Sequence, residues 1–331
     1  MFETKRNYKL NVAALQFFAG NTNVTTDSGL SEEMKTYYSD YLIDLASAKL
    51  VHDQFGQKHP IPKNGGKTIE FRKYSPLPKN LGVLVEGVTP DGQKLHMSTI
   101  TSEVKQYGGY IELSDMLILT AIDNNLVQAT KLIGKQAGAT LDTITREVLN
   151  GGTNVQYAEG QVNSREALTE AHKLTVKAVK MAVRYLKNQN AEKIGDSFVA
   201  IIHPDVSFDL TEDPAWINVK TYCDPSDMYE GEIGKIHGVR FVETTEAKIF
   251  KTGSGRAVYS TLVLADNAYG VTEVEGGGLQ HITKQLGSAG TADPLNQRAT
   301  VGWKATKTAE RLVEQYMVRI ETCSEFDSDA N

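Results

Sequence analysis

From Ser114 to Gly152 the chain runs without a proline, and apolar residues recur at Leu126, Ala129, Ile133, Ala137, Leu141, Ile144 and Val148. Steps of three and four place these residues on one stripe of a helix. Ser114 or Asp115 supplies an opening cap. Asn150-Gly151-Gly152 is a stop, because glycine takes the left-handed conformation past a helix end at little cost. The Asp123-Asn124-Asn125 cluster predicts an interruption, giving a short helix and then a long one. Gly134 and Gly138 stand one turn apart, each lowering helix propensity by about 1 kcal/mol. They read either as a place where another backbone comes close or as tolerated surface positions. The stretch is a rigid strut, and no chemistry-bearing constellation lies along it.

A chain of 331 residues can bury a substantial core and divides into two or more lobes. No apolar run approaches the roughly 18 residues of a membrane span, so no membrane role is expected. The opening Met1 to Tyr8 has no apolar signal segment, and export is not expected. Cys223 and Cys323 form neither a disulfide framework nor a metal quartet, and read as reduced thiols of a cytosolic setting. A net charge of −6 argues against a protein whose main task is to grip nucleic acid, which needs clustered Lys and Arg.

Taken in order, residues 1–30 are polar and weakly patterned apart from Val12 to Phe18, and read as an extended arm that needs a surface to lie on. Residues 31–55 predict a helix capped by Ser31, with Tyr38, Leu42, Leu45 and Leu50 on its apolar side. Thr68 to Tyr74 and Ser102 to Leu113 alternate as two long strands. Between them Pro76, Pro78, Gly82, Gly87, Pro90 and Gly92 exclude regular structure, which predicts a projecting tip from Lys79 to Leu95. A hairpin of this size is marginal alone and wants something to lean on. Asn163 and Glu166 look like the capping pair of a second long helix, Arg165 to Leu186. Phe198 to His203 is a buried strand ending at Pro204, followed by a short helix through Leu210. Val239 to Glu243, Val258 to Leu264, Leu279 to Leu286 and Glu314 to Thr322 are further strands. Helices and strands mix without a βαβ rhythm, so the class is α+β.

Chemical motifs are absent. Gly65-Gly66-Lys67-Thr68 resembles the end of a phosphate-binding loop, but Ile61 stands where the leading glycine belongs and a strand follows instead of a helix. None of the seven histidines has another at helical spacing. His203, at a strand end, reads as a satisfied structural histidine. No nucleophile–base–orienter set can be assembled, so no catalytic residue, cofactor site or metal site is expected.

Five phrases carry a resemblance: Tyr41 to Ala46, Gly66 to Tyr74, Leu84 to Pro90, Ile233 to Glu243 and Ala292 to Lys304. With the order of parts (arm, hairpin, spine helix, α+β lobe), they identify the chain as similar to tailed-phage major capsid proteins of the Hong Kong-97-type (Johnson) fold, in the phage N-four-like branch. The resemblance implies an N-arm (1–55), an extended E-loop (56–113), a peripheral domain (114–164 and 301–331) and an axial domain (165–300). It implies hexamers and pentamers of this chain forming an icosahedral head around double-stranded DNA, without sequence-specific DNA binding. It also implies a portal protein, a cement or decoration protein in some relatives, and assembly in the host bacterial cytoplasm. Too little chain precedes Ser31 for a built-in scaffolding region, so a separate scaffolding protein is expected. Lys94 is the one cross-link donor to consider, and no motif supports it. Intersubunit contacts are expected at Phe17, Phe18, Lys79, Leu84, Glu86, Lys94, Gly134, Gly138, Asp293 and Arg298. The competing readings are a cellular nanocompartment shell of the same fold, and a soluble α+β enzyme or binding module.

Overall fold

The computed structural model describes residues 50–331, apart from 75–76, 84–85, 88, 90–91, 121–124, 217–233, 289 and 291–292. The expected arm and residues 31–49 of the helix expected over 31–55 lie outside the described residues, and residues 50–55 are a turn, not the end of a helix. In chain order come β1 (Gln57–Lys58), β2 (Thr68–Tyr74), β3 (Met97–Glu103), β4 (Lys105–Ser114), α1 (Asp115–Thr120), α2 (Asn125–Asn150) and β5 (Val155–Tyr157). Then follow α3 (Val176–Asn188), β6 (Phe198–Ile202), α4 (Pro204–Glu212), β7 (Lys235–Ile236), β8 (Val239–Glu243), β9 (Ile249–Lys251) and β10 (Ala257–Leu264). The remaining strands are β11 (Tyr269–Thr272), β12 (Gln280–Lys284), β13 (Arg298–Arg311) and β14 (Met317–Thr322).

Three sheets result. One has the order β1-β11-β13-β12, with β4 also on β13; the second has β5-β14-β10-β6-β8-β7, with β9 on β10; the third is the β2–β3 ribbon. The expected short-then-long helix is present as α1 and α2, and α2 ends at Asn150 as the Gly-Gly pair requires. Neither Gly151 nor Gly152 is in the left-handed region, however. Gly151 matters for room instead, since a Cβ there would stand 2.8 Å from an Arg311 guanidinium nitrogen.

The apolar stripe of α2 does two jobs. Ile133, Ala137 and Leu141 pack on Val301, Trp303 and Ala305 of β13. One end farther on, Leu149 packs on Ile201, Leu262 and Leu264 of the other large sheet. There Ser260 Oγ donates to Asn150 Oδ1 at 2.5 Å, and Arg146 Nη1 donates to the Glu246 carbonyl at 2.9 Å. The strut therefore holds both sheets. The seven-stranded sheet is covered on its opposite face by α3, where Val179, Val183 and Leu186 meet Phe198, Ala200 and Val263.

Three expectations need correction. The helix expected over Arg165 to Leu186 is only a 3₁₀ turn at Arg165–Ala167 and then α3, capped by Thr175, whose hydroxyl accepts from Ala178 N at 3.2 Å. Arg165 is drawn away by Glu321, as described below. The hairpin's returning strand is Met97–Glu103, not Ser102 to Leu113; β4 begins after Val104 and changes partner to β13. The longest strand, β13, carries no strand-like expectation in its sequence, because its neighbours change along its length: β4 and β12 near its start, β11 at its end.

Candidate intersubunit surface

Among the described residues the ribbon of β2 and β3 meets the rest of the subunit at its base and through Phe71. Val104 N donates to the Lys67 carbonyl at 2.8 Å, and the Ser102 and Thr308 hydroxyls meet at 2.8 Å. Phe71 rests on Gly270, where a Cβ would come within 3.0 Å of the ring, and His59 meets Phe71 edge-on at 5.6 Å between centroids. Past this joint nothing among the described residues covers the apolar side chains: Leu81 is 87% exposed, Val83 92% and Leu95 70%. Bonding within the tip is local or long, with Gly82 N donating to Asn80 Oδ1 at 3.2 Å and Gln93 Nε2 to the Pro78 carbonyl at 3.4 Å. Water around that much apolar surface is unfavourable by about 25 cal/mol per Å², so such a strip marks a contact. A second uncovered patch is α1, where Met116, Leu117, Ile118 and Leu119 are all exposed. It lies beside the loop before β13, through Asp115 N donating to the Gln297 carbonyl at 3.0 Å.

The segment just before β1, by contrast, is bolted to the strut. His52 N donates to Asp142 Oδ1 at 2.8 Å, and its Nδ1 lies 2.6 Å from Asp142 Oδ2, both side chains being buried. Thr145 Oγ1 donates to Asp53 Oδ1 at 2.5 Å, Lys307 Nζ pairs with Asp53 Oδ2, and Tyr269 Oη donates to the His52 carbonyl. Burial pushes the Lys307 ammonium pKa down, and Asp53 opposes that shift. Sequence reasoning missed this cluster. Its members are dispersed along the chain, and only the packing of α2 on β13 assembles them.

The far sheet has its own buried ionic centre. Arg165 donates twice to the Glu321 carboxylate, at 2.8 and 2.7 Å, and its guanidinium lies 3.6 Å from the centre of the Phe250 ring. Arg319 Nε adds an ion contact at 2.9 Å to the same carboxylate, without the alignment of a hydrogen bond. The hydrogen bonds from Glu321 hold the Arg165 pKa up, whereas burial lowers that of Arg319.

Of the contact residues expected from sequence, Lys79, Glu86 and Lys94 are exposed on the hairpin. Arg298 is exposed beside Glu112 at 3.3 Å. Three need correction. Gly134 and Gly138 are buried inside the subunit, on the face of α2 that carries its core stripe. Asp293 is also buried, its Oδ2 accepting from Arg298 N at 2.8 Å to close the loop before β13. Phe17, Phe18 and Leu84 lie outside the described residues. His203 caps α4, its Nδ1 accepting from Asp205 N at 3.2 Å. Tyr259, whose ring lies tilted 5.1 Å from it, has its pKa pushed up to about 12, chiefly by burial. Among the described residues no group of three or more His, Cys, Asp or Glu could hold a metal ion, and no helix is long and apolar enough to cross a membrane.

The family model for phage capsid proteins matches residues 98–312, from the ribbon through the end of β13. The chain belongs to the phage capsid protein family. Among curated proteins none matches this capsid protein by sequence. Among solved structures it is similar to the capsid of cyanophage Pam1, at 16% identity and a TM-score of 0.64, over 80% of this chain and 87% of that one. The capsid of Ralstonia phage GP4 aligns at 14% identity and a TM-score of 0.63, over 85% and 90%. A virus-like particle from Pyrococcus furiosus aligns more loosely, at 10% identity and a TM-score of 0.51, over 87% and 99%. At such identities the likeness establishes the fold, which is the Hong Kong-97-type fold of tailed-phage capsid subunits. The capsid protein is a structural protein of the major-capsid type, and it associates with copies of itself.

Proposed function

We propose that this capsid protein assembles as hexamers and pentamers into the icosahedral head that encloses the double-stranded DNA of a tailed phage, with no catalytic chemistry of its own. The observation that carries the reading is the apolar strip of the hairpin, Leu81, Val83 and Leu95, which no described residue of the subunit covers. An element that cannot satisfy itself becomes ordered by a neighbour, and many modest contacts of this kind sum through multivalency. In this reading residues 1–55 are the arm, 56–113 the hairpin, 114–164 with 301–331 the peripheral part and 165–300 the axial part. β14 is the strand by which the peripheral part re-enters the axial sheet. An acidic chain, at −6, suits a wall that must not hold its DNA tightly. A portal protein, a separate scaffolding protein and, on the finished head, a decoration protein complete the set of partners, with assembly in the host bacterial cytoplasm.

Electron microscopy of the purified protein at high concentration, with and without portal and scaffolding proteins, tests this reading. Shells or capsomers are expected, and a lone monomer under every condition overturns it. Deleting Asn80 to Lys94 should abolish shells while circular dichroism shows a folded subunit. Global unfolding instead would show that the tip belongs to the subunit's own core.

A further inference from the structure

We infer that the solvent face of α3 carries a phosphate-binding stripe, Lys180, Arg184 and Lys187, that meets the backbone of the packaged double-stranded DNA without reading its sequence. This rests on the reading of the chain as the wall of a DNA-filled head and names the surface the DNA touches. Steps of four and three place the three residues on one line of the helix. They stand opposite Val179, Val183 and Leu186, which pack into the core, and all three are exposed. The chain as a whole is acidic, with 41 Asp and Glu against 35 Lys and Arg. Other cations of this lobe are paired: Lys173 with Asp209 and Glu325, Lys177 with Glu159, Lys248 with Glu147 and Arg256 with Glu170. Lys180, Arg184 and Lys187 have no ion pair among the described residues. Glu212 and Asp213 line the same hollow as Lys180 without pairing with it, and Asp213 Oδ2 already accepts from Val176 N at 2.8 Å. Burial, and then the charges of Lys180 and Lys187, hold the His237 pKa down, so the turn between β7 and β8 stands beside the stripe and adds no opposing charge.

Spacing and composition select the partner. At about 1.5 Å per residue, the stripe from Lys180 to Lys187 is about 10.5 Å long. One strand of B-DNA carries a phosphate per about 3.4 Å of axis, so a duplex laid along α3 sets about three phosphates against three cations. Arg and Lys are the side chains that hold phosphate oxygens, and such contacts position a duplex without reading its bases. A folded protein partner would need an apolar centre to bury. The exposed positions of α3, which are Lys177, Lys180, Arg184, Lys187 and Asn188, offer none. Three contacts, each exchanging with salt ions, let the DNA slide along the wall, which agrees with the acidic balance of the rest of the chain.

The test uses the full-length purified protein and a fluorescent duplex of about 20 base pairs, with affinity read by anisotropy from about 50 to about 200 mM NaCl. Three phosphate contacts predict a loss of about 40-fold across that range, the same for a duplex of unrelated sequence. Lys180→Gln with Arg184→Gln and Lys187→Gln should remove most of that salt dependence, and each change alone should lower the logarithmic slope by about 0.9. Lys180→Glu with Arg184→Glu and Lys187→Glu should bind more weakly still, while circular dichroism and shell yield stay as in the unchanged protein. Affinity that neither triple variant moves overturns the stripe, and shells formed by the same protein leave the head reading standing. Tighter binding to poly-glutamate than to the duplex, lost in the same variants, overturns DNA as the partner in favour of an acidic protein. A lone monomer under every assembly condition overturns the head reading, and the DNA assignment with it.

Discussion

The β2–β3 ribbon and strand β10 are both β structure, but they are held in place by different things. β10 buries all eight of its residues between β6, β14 and β9, sending alternate side chains toward α3 and toward Leu149 of α2. The ribbon buries only Ser102, and a two-stranded ribbon without cover is marginal in water. The difference shows where stability and assembly reside. The large sheets carry the subunit's own fold, and the hairpin leaves apolar side chains that no described residue covers, which under the proposed reading another chain completes. Removing a side chain from the first region should therefore cost folding, and from the second, association.

The largest effect expected is at Glu321. Glu321→Ala removes a fully buried carboxylate and leaves the half-buried guanidinium groups of Arg165 and Arg319 without it; solvent at Arg165 keeps the loss at or below the lower end of the cost of breaking a buried pair, about 3 kcal/mol. Urea denaturation followed by circular dichroism measures it, and a loss below about 1 kcal/mol would break the contrast between the regions. A smaller effect is expected from pH. Burial lowers the His203 pKa, against the opposing pull of Asp205 and Glu243. The folded state then binds fewer protons than the unfolded one, so this stability is present above about pH 6.5 and is lost as pH falls below it. Melting temperatures should drop on acidification, and His203→Asn, which keeps a capping acceptor, should flatten that slope. An unchanged slope in the variant would remove His203 from the account. The smallest effect on folding is expected at the tip. Leu81→Ser with Val83→Ser should leave subunit stability within about 0.5 kcal/mol, while shells fail to form in a sedimentation assay. A clear loss of stability would sharpen the comparison the other way, showing that the tip packs on its own subunit.

What could be read in the sequence was local. The strut of α2, the buried run Phe198–Ile202 stopped by Pro204, and the strand Thr68–Tyr74 follow from periodicity and proline, which act within a few residues. What could not be read depends on partners far away in the chain. Arg165 is not in a helix because Glu321 takes its guanidinium, and α3 starts instead where Thr175 can cap it. β13 holds its 14 residues in one strand because β4, β12 and β11 supply successive neighbours. The spacing of Gly134 and Gly138 left open a packing role or a tolerated surface position, and only the packed structure places both in the buried face of α2. Sequence by itself determined the strut and the element that cannot cover itself, because both are matters of local pattern. Tertiary structure decided the bolts at His52 and Asp53 and the sheet that receives β13, because each needs residues that only folding brings into contact.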